Sequence, residues 1–429
     1  MQKIAVKNNI IDCNSAIFFA TFSHYEKGQR LPTNGMVEPM LSFFLPKVKT
    51  FLLLDGPHPV SDVVDPVVEA YRDGRLDKKF LLSPLFYLFA YFFCKIPSKA
   101  KTRISFKIRD FFSAFFLALM QKEKFDLFIG LEAVYALAGI LLRKIGRIKR
   151  VVYYVSDYSP TRFGKNLFNT LYIWLDLFCV RHADFTWDVS AAMKEGRLRA
   201  GLKPSEATRI IHVPNGLFPA QIDPLPISQR VKDTLVYMGI LDPDKGVDLA
   251  LKALKLVIAK RPQTSLHIIG GTPEGITRLK QMAVRLGIER SIIFYGFVPP
   301  NKKMSSIINR CYLGLTTYSR RRSPENRYGD SGKIRQYLGC GLPIVSTKLQ
   351  AYTKYVIDQG AGIGTKESVK DFANAILTLL KDDSLYRRCS VVATRLGRAN
   401  TWENSYTQAL FAMRGLIICR RPRGQKGLP

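Results

Sequence analysis

The stretch Gly329–Thr347, GDSGKIRQYLGCGLPIVST, decides how the rest of the chain is read. It predicts a short helix entered through Gly332 and Lys333 and left through Gly-Leu-Pro into a strand. A lysine in the first helical turn opposes the positive end of the helix dipole. It belongs there if an anion sits at that end, served by the unpaired amides and the ammonium together. The other reading is a solvated surface lysine, with Gln336 pointing outward as an ordinary helix former.

Outward from this stretch, apolar runs alternate with helical ones. SAIFFATF, VKTFLLLD, DLFIGLE, RVVYYVSD, DFTWDVS and RIIHVPNG precede residue 217, and TLVYMGIL, LHIIGG, SIIFYGF, YLGLTTY and LPIVST follow it. Most are continuous rather than alternating, as parallel strands covered on both faces require. Helical periodicity appears in Val247–Ala259 and Gly275–Leu286. An α/β class with two doubly wound, Rossmann-like domains facing across a cleft is expected.

The expected layout is a leader at 1–14, a first domain at 15–217 completed by a C-terminal helix at 401–417, and a second domain at 231–400. The proline-rich FPAQIDPLPISQR at 218–230 reads as a linker, and 418–429 as a basic disordered tail. The 429 residues, 47% of them hydrophobic, suffice for two cores. The seven cysteines are scattered without a C-x-x-C pair, which argues against a zinc site or disulfide framework. The segment before Ser15 lacks the apolar region of a secretory signal.

In such sheets ligands bind beyond the carboxyl ends of the strands. Lys245, in the loop GILDPDKG, stands at a strand-to-helix turn, and Lys333 repeats that placement. Two lysines from separate turns, with helix amides, make a diphosphate site. Lys245 as a plain surface residue is the alternative. Asp242 and Asp244 read either as a carboxylate pair for a metal or as turn residues, with Asp244 as a helix cap.

In order, VPNG (213–216), LVYMGILDPDKGVDLALKAL, LHIIGG, IIFYGFV and SGKIRQYLGCGLPIVST resemble the C-terminal domain of GT-B glycosyltransferases of the family-4-like retaining type. The first half resembles the same family more loosely, through TNGMVEP, FDLFIGLE, VVYYVSDYSP and ADFTWDVS. The resemblance implies transfer of a glycosyl group from a UDP- or GDP-sugar to a hydroxyl, with retention of configuration. No metal or other cofactor is implied, the nucleotide sugar being a substrate. It further implies Lys245, Lys333 and Gly332 at the donor diphosphate, Gln336 where the family has a ribose-binding glutamate, and Phe297 near the base. Asn34 and Gly35 would approach the phosphates from the other side.

Departures from the family are visible. Ile240 stands where an arginine is common, and Tyr328 where the first glutamate of an E-x7-E pattern falls. Glu325 and Asp330 are the nearby acids, neither in register. The usual cleft histidine is absent, leaving Glu132 and Asp157 at strand ends. Asp157 is the preferred catalytic-cleft residue, with turn capping as its other reading. A catalytically degenerate relative or a sugar-nucleotide epimerase is the alternative function.

Sixty-five Lys and Arg against 34 Asp and Glu give a formal charge of +31, far beyond what solubility needs. Cations from Lys95 to Arg109 lie between the aromatic runs PLFYLFAYFFCKI and FFSAFFLALM, and LLRKIGRIKR adds more. That composition suits an anionic membrane surface. Phe80–Cys94, uncharged but short of the ~20 residues of a span, reads as a buried or interfacial helix. Expected partners are therefore a lipid-linked or glycan acceptor of cell-envelope biosynthesis and the inner face of the cell membrane. A basic nucleic-acid-binding protein is the remaining alternative; no motif for it is present, and no nucleic acid is expected.

Overall fold

Most of the continuous apolar runs become strands buried from both sides, whereas Ile292–Gly296, at a sheet edge, leaves Ile293 and Tyr295 exposed. Ile17, Phe18, Phe19 and Ala20 in the first strand are all inaccessible to solvent. The computed structural model describes residues 11–31, 36–94, 101–299, 302–322 and 324–418. Contacts divide the chain into one unit of Met1–Val189, Lys194–Val213 and Tyr406–Pro429, and another of Ser190–Met193 and Pro214–Ser405.

The first unit is built on strands β1 (Ala16–Glu26), β2 (Gln29–Leu31), β3 (Thr50–Pro57), β4 (Val67–Arg72), β5 (Arg75–Leu81), β6 (Phe125–Leu131), β7 (Ile148–Val155), β8 (Phe185–Asp188) and β9 (Ile210–His212). Their order is β5-β4-β3-β1-β6-β7-β8-β9, with β2 paired to β1. The sheet is parallel from β3 to β9. The chain leaves β1 toward β3 and returns on its other side as β6, so a topological switch lies between β1 and β6. Tyr406, from the helix Trp402–Ile418, is fully buried here against Trp187, Tyr154 and Phe43.

The second unit has six parallel strands: β10 (Thr234–Met238), β11 (Ser265–Ile269), β12 (Ile292–Gly296), β13 (Leu313–Thr316), β14 (Ile344–Thr347) and β15 (Gly362–Thr365). The order β12-β11-β10-β13-β14-β15 places its switch between β10 and β13. Helix Val247–Ile258 turns Ala250, Leu251, Leu254 and Val257 inward at helical spacing, into a core shared with Phe372 and Ile376.

One expectation is corrected. The run Phe80–Cys94 is not one helix: Phe80 and Leu81 end β5, Pro84–Tyr87 is a 3-10 turn, and Leu88–Cys94 is a separate short helix. Leu82 donates its amide to the Pro66 carbonyl, and Ser83 Oγ accepts from the Leu85 amide, so the backbone is already committed before the aromatic segment begins. Strands β4 and β5 form an antiparallel hairpin at the sheet edge that the apolar pattern did not disclose. At the end of 218–230, buried Arg230 donates to the Gly341 carbonyl at 2.8 Å and to Ser390 Oγ at 3.1 Å, within the second unit. Among the described residues, no helix is long and apolar enough to cross a membrane.

Candidate functional site: a lysine pair at the switch of the second unit

The loop after β10 is pinned by Gly246. Its φ of +71° is left-handed, and a Cβ there would lie 1.6 Å from the Thr317 carbonyl oxygen. Only glycine lets this loop close onto the end of β13. Lys245, immediately before it, is thereby delivered to the switch. Its carbonyl lies 3.5 Å from the Tyr237 hydroxyl, and its Nζ donates to Asn326 Oδ1 at 2.9 Å.

Lys333 arrives from the other side, on helix Gly332–Gly339. Its side chain is 8% exposed, and its Nζ donates to Tyr237 Oη at 3.1 Å. The ammonium lies 4.3 Å from the Tyr237 ring centroid and 4.9 Å from that of Tyr318. Two aromatic faces stabilise a cation weakly compared with the water it has lost. Burial first, and then the Lys245 charge, lower the Lys333 pKa to about 7. No ion pair involves either lysine among the described residues.

The helix entrance fits an anion as well. Ser331 at the N-cap makes no side-chain capping bond; its hydroxyl lies 3.3 Å from Tyr318 Oη instead. A Cβ added at Gly332 would meet nothing within 4 Å, so the first turn opens onto free space. Two converging ammonium groups, uncapped amides and no carboxylate partner can hold a diphosphate.

The remaining sequence-selected residues scatter. Gln336 does not point outward: it is buried, its Oε1 accepting from Gln221 and its Nε2 donating to Ser305. A neutral amide suits this position because it is satisfied by one donor and one acceptor, where a carboxylate would be repelled by the Ser305 lone pairs unless the hydroxyl turned. Asp330 is fully engaged, with Oδ1 and Oδ2 bridging Arg335 at 2.8 and 3.1 Å and Oδ2 accepting from the Asn215 amide. Glu325 lies in the 3-10 turn Pro324–Tyr328 and is half-buried. Phe297, beyond β12, is 63% exposed. Ile240 is exposed as well, and Asp244 makes no cap, since helix Val247–Ile258 starts after Gly246. Asn34 and Gly35 lie outside the described residues.

Asp157 belongs to the first unit, where its side chain is 67% exposed and 3.2 Å from Arg162. The sequence reading missed Tyr237 and Tyr318. Both sit in runs recognised as strands, YMG and TTY, where an aromatic reads as core filling. Asn326, which holds Lys245, carried no sequence signal.

Residues 232–382 match the family described as "Glycosyl transferases group 1". A "D-inositol 3-phosphate glycosyltransferase" of Jonesia denitrificans is 24% identical over 185 residues, 42% of this chain and 42% of that protein, so the match spans less than half of that relative. Among solved structures, Anabaena Alr3699/HepE in complex with UDP superposes with a TM-score of 0.64 at 16% identity, covering 92% of this chain and all of that one. Sucrose-phosphate synthase from Thermosynechococcus elongatus gives 0.66 at 15% identity, over 94% of this chain and all of that one. Residues 232–382 of the second unit therefore carry a group 1 glycosyl transferase domain, and the chain as a whole has the GT-B fold of these solved structures.

Proposed function

We propose that the protein transfers a glycosyl group from a UDP- or GDP-sugar to a hydroxyl acceptor, with retention of anomeric configuration. The observation that carries this is the approach of Lys333 and Lys245 at the switch between β10 and β13, where neither forms an ion pair among the described residues. The bond from the anomeric carbon to the diphosphate breaks, and negative charge grows on the departing diphosphate. Lysines placed there stabilise that charge more than they stabilise the bound donor. They take the part a divalent cation has elsewhere, so the donor is held without metal. Phe297 offers a face to the base, and Gly332 offers its amide. Of the three candidate acids, Asp330 serves to hold Arg335, Asp157 keeps an exposed side chain, and Glu325 is half-buried.

The acceptor is proposed to be lipid-linked or to lie on an anionic membrane surface on the cytoplasmic side. Leu85, Ile104, Leu167, Leu171 and Trp174 of the first unit are exposed, in a chain of formal charge +31. Equal co-sedimentation with neutral and anionic vesicles, or with neither, argues against this.

A thermal-shift screen of UDP, GDP, ADP and their sugars tests the donor. Ligand binding raises the midpoint by mass action. One base should stabilise the wild-type protein, and Lys333→Ala or Lys245→Ala should abolish the shift. A shift that survives both substitutions sinks the proposed site.

A further inference from the structure

A groove of about 550 Å³ lies in the second unit where Arg230 and Gly341 lead into β10 and β14, at the amino ends of these parallel strands. The lysine pair stands at the other pole of the same sheet, beyond the carboxyl end of β10. One wall of the groove is the segment 224–227, and the other is helix Asp383–Ala399. Val391, Arg395 and Arg398 recur on that helix at spacings of four and three, so they share one face. All three are exposed, Val391 at 68%. The segment brings Leu225 and Ile227, so the groove joins an apolar wall to a basic one.

Arg230 lies at the base of the groove. Its Nη1 is 2.8, 3.0 and 3.1 Å from the Gly341 carbonyl, Tyr386 Oη and Ser390 Oγ. Its Nη2 donates to the Leu225 and Cys340 carbonyls at 3.0 and 3.2 Å. All of these acceptors are neutral, and the buried Nε has no partner among the described residues. A guanidinium in a residue only 7% exposed thus forms no ion pair there, and an uncompensated buried charge is costly. Arg395 reaches the neutral Gln359 Oε1 at 3.2 Å, and among the described residues no Asp or Glu lines the groove. An acidic group entering it would offset the Arg230 charge and meet two exposed guanidinium forks.

We propose that this groove binds a free single-chain anionic amphiphile, with its carboxylate or phosphate head at Arg395 and Arg398 above Arg230 and its apolar chain along Leu225, Ile227 and Val391. The volume is that of a small-molecule site, and its concave walls suit one chain rather than the flat face of a bilayer. The lining belongs wholly to the second unit. The site shares no residue with the lysine pair and does not rest on the transferase reading.

Isothermal titration of the full chain with decanoate and decyl phosphate, below their micelle thresholds, tests the site. Decanol, which lacks the charge, and inorganic phosphate, which lacks the chain, are the controls. At least one amphiphile should bind the wild-type protein, and more tightly than either control. Combining Arg395→Gln with Arg398→Gln, both at exposed positions, should weaken that binding by about tenfold or more, the scale of a hydrogen bond to a charged group. Val391→Asp should also weaken it, by setting a carboxylate against the head group, and Lys333→Ala should leave it unchanged. The proposal is overturned if neither amphiphile binds, if a control binds as tightly, or if the double variant binds as the wild-type protein does. Loss of binding in Lys333→Ala would overturn it by moving the amphiphile to the lysine pair. Binding to anionic vesicles without binding of the free amphiphiles would overturn it in favour of a membrane surface.

Discussion

The Lys333 ammonium donates to the Tyr237 hydroxyl at 3.1 Å while lying over the ring of that same side chain, 4.3 Å from its centroid. One tyrosine thus supplies both a lone pair and a π face to a cation that has lost its water. Burial keeps the Tyr237 phenol protonated, its pKa pushed far up, so it remains a neutral partner across the useful pH range. The lysine is the group that yields, to about 7.

A pH dependence follows from that value. The protonated lysine is the form that grips a diphosphate, and a bound anion raises its pKa again. UDP binding should therefore take up a proton above pH 7, and affinity should fall as pH rises from there toward 10. Calorimetric titration in buffers of different ionisation heat reads the uptake directly. The ligand-free protein should show the opposite trend. Between the folded pKa near 7 and the unfolded value of 10.5, the unfolded chain holds more protons, so this group's contribution to stability improves as pH rises. Lys333→Met should remove both effects, and pH-independent uptake in the wild-type protein would contradict the assignment.

Asp330 and Arg335 form an ion pair with each side chain 1% exposed, joined by the Asn215 amide on one side and Asn400 on the other. Removing one member leaves the other buried and unpaired. Asp330→Ala should cost about 3–5 kcal/mol in chemical denaturation. A structural role predicts that remaining folded enzyme keeps its turnover number at low temperature. A catalytic role predicts that turnover collapses while the fold survives, and the two measurements together decide.

Gly246 can be probed by adding a single methyl group. Alanine at φ +71°, with its Cβ directed at the Thr317 carbonyl, cannot be accommodated without moving the loop that presents Lys245. Gly246→Ala should destabilise the second unit by about 1–3 kcal/mol and abolish the UDP thermal shift. An unchanged shift would mean that Lys245 does not need this loop geometry to reach the ligand.

Much of the architecture was legible because parallel strands covered on both faces are largely apolar runs, as TLVYM is, while IIFYG gave the same signal although it lies at a sheet edge with Ile293 and Tyr295 exposed. The β4–β5 hairpin escaped that criterion, since every residue of RLDKKFL is exposed. Its local signal was the Asp73-Gly74 pair, both at positive φ (48° and 77°), as a tight two-residue hairpin turn requires. At the site, Lys245 and Lys333 were readable because glycine and helix-start positions mark strand-to-helix turns. Their surroundings were not. That Gln336 faces Ser305 and Gln221, or that Glu132 is buried while Asp157 is exposed, depends on which neighbours the sheet order brings together.

Tyr406 is the farthest-travelled member of the first unit's core. The chain crosses the whole second unit before this side chain stacks on Trp187 at 6.0 Å and packs on Phe43 at 5.2 Å, with no solvent exposure. The first unit therefore cannot complete its core until the C-terminal helix has been made. Tyr406→Ala should destabilise that unit by about 3–5 kcal/mol, the range for large buried aromatics. Urea unfolding followed by fluorescence of Trp187 should show an earlier transition, while nucleotide binding through Lys333 persists at urea concentrations where that transition is complete. Loss of both together would mean that the two units unfold as one.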